Sequence, residues 1–166
     1  MIASLAGVTA AAGFLDGVAM GGELDGRVLV EDVVGGVAVS VEAEIVDGRS
    51  CLDPGSLWWG AEGQCPNRRI ASLRVDVAGN SALVPVSVYA DLAGLRRIGV
   101  TETEQGFVLE MNGGDGATGY AARLEFMKFG KDDDSWAVGS RSVRLSSAPD
   151  QRFELFEYSY NLFENE

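Results

Sequence analysis

The chain has 166 residues, of which 46% are hydrophobic and 23% are charged, as expected for one globular domain with its own core. Its net charge of −12 argues against nucleic acid and anionic membranes as ligands, because both attract clustered lysine and arginine. The sequence contains no histidine, which excludes Ser-His-Asp and Cys-His catalysis and histidine-based zinc sites within the chain.

Residues 1–22 are rich in alanine and glycine and carry a single charge, Asp16. The apolar run Ile2–Leu15 has the length of a secretory signal, but no lysine or arginine precedes it, and it is too short for a transmembrane span. Two interpretations remain open: an arm that docks on a partner or a neighbouring subunit, or an end that is poorly ordered or packs on the core. Residues 23–166 are predicted to form one domain, located either in the cytoplasm or outside the cell.

From Gly26 onward, hydrophobic and polar residues alternate with the period of two that is typical of half-buried β-strands. The alternation is cleanest in Gly36–Val46, and Pro85 restricts the strand that contains it to a sheet edge or a non-pairing position. The predicted strands are Arg27–Val34, Gly36–Val46, Ile70–Ala78, Ala82–Ala90, Arg96–Glu104, Gly106–Asn112, Tyr120–Phe129, Trp136–Leu145 and Phe153–Phe163.

The spacing of these strands, with tight turns between them, predicts an all-β fold. About nine or ten strands at intervals of about 10 to 12 residues are typical of an antiparallel two-sheet β-sandwich, of the Ig-like, jelly-roll or C2-like kind. No helical segment longer than two turns is predicted after residue 22.

The longest irregular segment, residues 48–69, contains both cysteines and two adjacent tryptophans. A Cys51–Cys65 disulfide would close a loop of about 15 residues and contribute about 3 kcal/mol; the alternative is two free thiols in a reducing compartment. Trp58 and Trp59 are interpreted either as a platform that binds a sugar or a partner's side chain, or as a plug at the end of the core. Because adjacent strand residues point to opposite sides, only one of the two rings is expected to face inward.

The last predicted strand is the most aromatic one. Phe156, Tyr158 and Tyr160 share one side, which begins with Glu154, and the strand carries more aromatic surface than one inner face requires. This strand and the edge strand Ala82–Ala90, which contains Pro85, are the two candidates for protein contact, the latter because an exposed edge offers unpaired N–H and C=O groups. The alternative is that both faces are covered, one by the other sheet and one by residues 1–22.

No cluster of residues predicts chemistry. Asp115 and the run Asp132–Asp134 lie in separate turns without EF-hand spacing, and we interpret them as turn residues, with no metal site. A pair of carboxylates for glycoside hydrolysis is the one catalytic scheme left open, but 25 acidic residues produce such pairs by chance. We therefore predict that the protein is not an enzyme and needs no cofactor.

Three functional hypotheses follow. The first is an acidic interaction domain that neutralises a basic protein, in the manner of a bacterial immunity protein or inhibitor. The second is a secreted carbohydrate-binding module, with or without calcium, that stacks sugars on Trp58 or Trp59. The third is a structural subunit of a larger assembly, with residues 1–22 as its docking arm. The oligomeric state stays open in all three.

Overall fold

The computed structural model describes residues 23–48, 58–61, 65–114, 116–129, 135–150 and 153–158. In these residues nine strands form two antiparallel sheets, one of four strands and one of five. This arrangement confirms the predicted all-β, two-sheet sandwich and its strand number. Strands that are neighbours in each sheet are also neighbours in sequence, so both sheets are meanders, unlike the Greek-key order of Ig-like and jelly-roll sandwiches.

Every predicted strand except Ala82–Ala90 has a counterpart, with its start displaced by at most two residues. The first sheet consists of β1 Gly26–Val34, β2 Val37–Asp47, β3 Arg68–Val77 and β4 Asn80–Ser81; the second consists of β5 Leu95–Thr103, β6 Gly106–Gly113, β7 Tyr120–Lys128, β8 Trp136–Leu145 and β9 Phe153–Glu157.

Strand β2 shows why the first sheet forms. Its inward residues are buried, among them Val41 and Ala43 at 0% exposure. The residues between them face water, where Glu42 pairs with Arg27 of β1. One buried face and one wet face fix the register, because a slip of one residue would turn the apolar side outward.

The predicted strand Ala82–Ala90 is wrong. Only Leu83 makes a bridge, to Ala137 of β8, and Val86–Val88 forms a 3₁₀ helix. Pro85 precedes that helix with φ −60° and ψ 144°. The chain crosses between the sheets just before this point, since Ala82 N–H donates to Val75 O of the first sheet and Leu83 N–H to Trp136 O of the second. Because proline has no N–H and fixes φ, the chain leaves the edge of β8 at Pro85. The turn buries Val88 completely, so the apolar residues that suggested a strand belong to a packed connection.

The second sheet supplies the aromatic part of the core. Phe107 of β6 stacks on Phe126 of β7, with ring centroids 4.7 Å apart and an interplanar angle of 7°. In β7 the sequence showed two competing apolar faces, and the structure selects the one that contains Tyr120, Leu124 and Phe126. Met127, on the other face, is 40% exposed.

Strand β9 lies at the end of the second sheet and pairs with Ser140–Arg144 of β8. It is shorter than the predicted Phe153–Phe163, because Tyr158 already lies outside the strand. Residues 159–166 lie outside the described part of the chain. The short segment that contains Leu83 follows the same edge of β8, through Leu83 N–H to Trp136 O at 2.8 Å, so β9 and this segment share that edge.

Candidate functional site on the last strand

Trp59 lies in the core, in the short described part of the segment between the two cysteines. It is 0% exposed, and its backbone is held on one side by two bonds of 2.9 Å, from Trp59 N–H to Asp91 O and from Ala93 N–H to Trp59 O. Of the two interpretations that the sequence left open, a binding platform or a plug at the end of the core, the burial of Trp59 favours the plug. Its ring offers no face on which a sugar or a partner's side chain can stack.

Trp58 is half-buried, as expected for the neighbour of an inward-facing residue. Its indole Nε1 is buried, and the described residues provide no hydrogen-bond partner for it. Cys65 is disulfide-bonded. Its predicted partner, Cys51, lies outside the described residues, so the Cys51–Cys65 pairing stays a prediction.

A hydrogen bond joins this segment to the last strand. Trp59 Nε1–H donates to Glu154 Oε2 of β9 at 3.0 Å in a partly buried position. The two residues are 95 positions apart in sequence, and the bond to a charged acceptor in this setting is of the stronger kind. The tryptophan that seals the core therefore also fixes the inner side of β9.

Arg141 of β8 is the second inner contact of β9. It is only 3% exposed, and its guanidinium donates to both carboxylate oxygens of Asp91, at 2.7 and 2.8 Å. Phe156 is its partner in the β8–β9 register, and the Phe156 ring lies 5.5 Å from the guanidinium carbon. Such a cation–π contact covers the cation with apolar surface, while Phe156 itself remains 47% exposed.

Tyr120 adds a buried hydroxyl to this region. It is 0% exposed, and the described part of the chain offers its hydroxyl no hydrogen-bond partner. Burial raises the pKa of Tyr120, and the Asp91 carboxylate raises it further, against the opposing effect of Arg141. The hydroxyl is therefore neutral at physiological pH and is not poised to accept a proton there. Within the described ranges, no three histidine, cysteine, aspartate or glutamate side chains are grouped to hold a metal ion.

The outer side of β9 is open, and it carries two apolar side chains, Phe153 and Leu155, and one charge, Glu157. Phe153 and Leu155 are 57% and 55% exposed, and with Phe156 they place three large apolar side chains on a strand of five residues. Their neighbours across the register on β8 are Arg144 and Ser142, which are too polar or too small to cover them. An edge strand with this much exposed apolar surface is a candidate site for contact with another polypeptide.

The structure thus brings together three of the five predicted contact residues. Trp59, Phe156 and Tyr158 lie along the inner side of β9, where Tyr158 is partly buried against the core. Tyr160 lies outside the described residues.

Other residues of the site were not singled out from the sequence. Arg141 and Asp91 were missed, although Arg141 is the one charge at an inward position of β8 and so signals a buried partner. Leu155 was missed because the aromatic residues of this strand favour the side that carries Phe156 and Tyr158. Phe153 and Leu155 lie on the side of opposite parity.

The fold and this site define a class of protein, a two-sheet antiparallel β-sandwich with an exposed apolar edge strand. Comparison with known protein families, with curated proteins and with solved structures gives no match to this chain. Among the described residues, none forms a helix that is long and apolar enough to cross a membrane.

Proposed function

We propose that this protein is a non-catalytic acidic interaction domain that binds a basic protein through the exposed side of β9. The observation that carries the proposal is an edge strand with Phe153 and Leu155 on its outer side, 57% and 55% exposed, and with Phe156 on its inner side still 47% exposed. Solvent-exposed apolar residues scattered singly need no explanation, but Phe153 and Leu155 share the outer side of an edge strand, and such a pair supports a contact surface there.

The charge of the chain supports a basic partner. With −12 overall and Glu154 and Glu157 on β9 itself, the field attracts a cationic surface, speeds its association and disfavours acidic competitors. A small acidic domain of this kind suits the role of an immunity-type or inhibitor-type partner, which neutralises a basic protein by covering it.

Affinity capture from a native lysate of the source organism tests the proposal. The baits are the wild-type chain, a β9 variant with Phe153→Ser and Leu155→Ser, and a matched control with Leu29→Ser and Val33→Ser. The control residues are equally exposed, at 54% and 66%, but lie on β1.

We expect a protein of basic net charge that the wild type and the β1 control retain at about 50 mM NaCl. It should be lost at about 500 mM NaCl, where charges are screened within a few ångströms, and from the β9 variant at either salt. Retention that ignores salt, or that the β9 substitutions leave unchanged, would count against the proposal.

A further inference from the structure

The hydrogen-bond parity of β9 shows which of its backbone groups face away from β8. In an antiparallel ladder, hydrogen-bonded and non-hydrogen-bonded pairs alternate. Tyr158 N–H donates to Gly139 O at 2.9 Å, and the β8–β9 register runs without a shift. Residues with the parity of Tyr158, which are Glu154 and Phe156, therefore pair with β8.

The residues of opposite parity turn their backbone groups to the open edge. These residues are Phe153, Leu155 and Glu157, and together they present three N–H and three C=O groups there. Strand β9 contains no proline and no bulge, which are two of the devices that block pairing at an edge. Within the described part of the chain, no strand lies beyond it in the sheet order.

The charges of β9 decide which strand fits this edge. A second copy of the chain brings another −12 and two further β9 glutamates, which oppose pairing of like edges. Each side of β9 combines apolar and acidic residues, with Phe153, Leu155 and Glu157 on the outer side and Glu154 and Phe156 on the inner side. An extended segment that carries both apolar residues and lysine or arginine therefore matches this edge.

We propose that the partner binds by strand addition: an extended basic segment pairs with β9 and becomes a sixth strand of the second sheet. Main-chain hydrogen bonds to Phe153, Leu155 and Glu157 supply affinity, and the alternating side chains supply selectivity. This inference rests on the proposed function, because it describes how the same surface takes its partner.

The probe is a synthetic peptide of alternating lysine and valine, added to the full-length ¹⁵N-labelled chain and followed by amide hydrogen exchange. In the free chain we expect the Leu155 amide to exchange at least tenfold faster than those of Glu154 and Phe156, because only the latter two are bonded to β8. At saturation the peptide should slow the amides of Phe153, Leu155 and Glu157 by at least about tenfold.

A pair of variants separates backbone pairing from side-chain contact. Leu155→Thr shortens the side chain but keeps the N–H, whereas Leu155→Pro also removes an N–H that faces the open edge and not β8. Proline is tolerated at such edge positions, so the β8–β9 ladder should persist in both variants. We expect the peptide to bind Leu155→Pro about tenfold more weakly than Leu155→Thr, since one edge hydrogen bond is lost and the ring obstructs the neighbouring ones.

Strand addition would be overturned by a slow Leu155 amide in the free chain, by equal affinity of the two variants, or by no binding of the peptide at all. The first result keeps the test decisive even if Leu155→Pro does not fold. If the peptide instead binds in a salt-dependent way and slows the amides of β1 and β2, strand addition is refuted, while the proposal of an acidic interaction domain still stands. The proposed function itself is decided separately, by the capture experiment.

Discussion

Replacing Asp91 by alanine should destabilise the protein more than removal of any exposed ion pair. The substitution leaves the Arg141 guanidinium, 3% exposed, without either of its two short bonds to carboxylate oxygens. Breaking a buried pair in this way costs about 3–5 kcal/mol. Because the Asp91 side chain is 35% exposed and water screens it, we expect about 2–3 kcal/mol. For a chain of this length that is a fall in Tm of about 5–10 °C.

Urea unfolding followed by circular dichroism measures this loss, and a double-mutant cycle isolates the pair. Arg141→Met removes the cation and keeps much of the side-chain volume, so Asp91→Ala should cost far less in that background, with a coupling energy of about 2 kcal/mol. Asp25→Asn is the control, because its pair with Arg68 is 59% exposed on the aspartate side and should be worth less than about 1 kcal/mol. Additive effects of the Asp91 and Arg141 substitutions would refute the account of Arg141 as a buried cation that depends on Asp91.

Three further predictions concern other parts of the structure. Trp59→Phe should lower the free energy of unfolding by about 2–4 kcal/mol, through the cavity and the lost bond to β9, and hydrogen exchange should show the β9 amides opening first. Gly60→Ala should lower the free energy of unfolding by about 3 kcal/mol or more, because Gly60 has φ +91° and a Cβ there would lie 2.4 Å from Ala93 O. The control Gly36→Ala, at φ +79° with open space around the position, should lower it by about 1 kcal/mol in the same urea assay. The Ser81 hydroxyl lowers the pKa of Asp76 below its ordinary 3.8, with Arg74 contributing. The Asp76 carboxylate therefore stabilises the fold above about pH 4, and this contribution is lost as the pH falls through the folded-state pKa. Ser81→Ala should make that loss of stability smaller, as measured by thermal melts between about pH 2 and pH 5.

The sequence predicted the strands well wherever burial alternates residue by residue. Gly36–Val46 and Trp136–Leu145 read directly as strands, because a sheet with one wet face imposes a period of two on the chain. The same reasoning failed at Ala82–Ala90, where alternating valines lie in a connection that packs on the core. Alternation of apolar and polar residues indicates which residues are buried, and a packed 3₁₀ turn can bury the same residues without strand pairing. Pro85 was the local sign in the sequence that strand pairing ends there.

The site was less predictable than the fold, because its contacts join distant parts of the chain. The sequence showed that one tryptophan of the pair faces inward, but not that Trp59 meets Glu154, 95 residues away. The inward position of Arg141 was readable from its strand, yet its partner Asp91 lies in a connector without a pattern of its own. Pairings of this kind depend on how the two sheets close, which no local pattern encodes.

The contacts on the inner side of β9 hold the strand in place while its outer side stays exposed. A strand of five residues at a sheet edge is held by few ladder bonds, and on its own it would fray readily. The bond between Glu154 and Trp59, together with the cover that Phe156 gives Arg141, ties its inner side to the core. That attachment keeps the strand extended while Phe153 and Leu155 stay exposed on the outer side. An edge held rigid before binding loses less conformational entropy when a partner strand arrives, so the polar contacts beneath β9 should raise partner affinity without touching the partner.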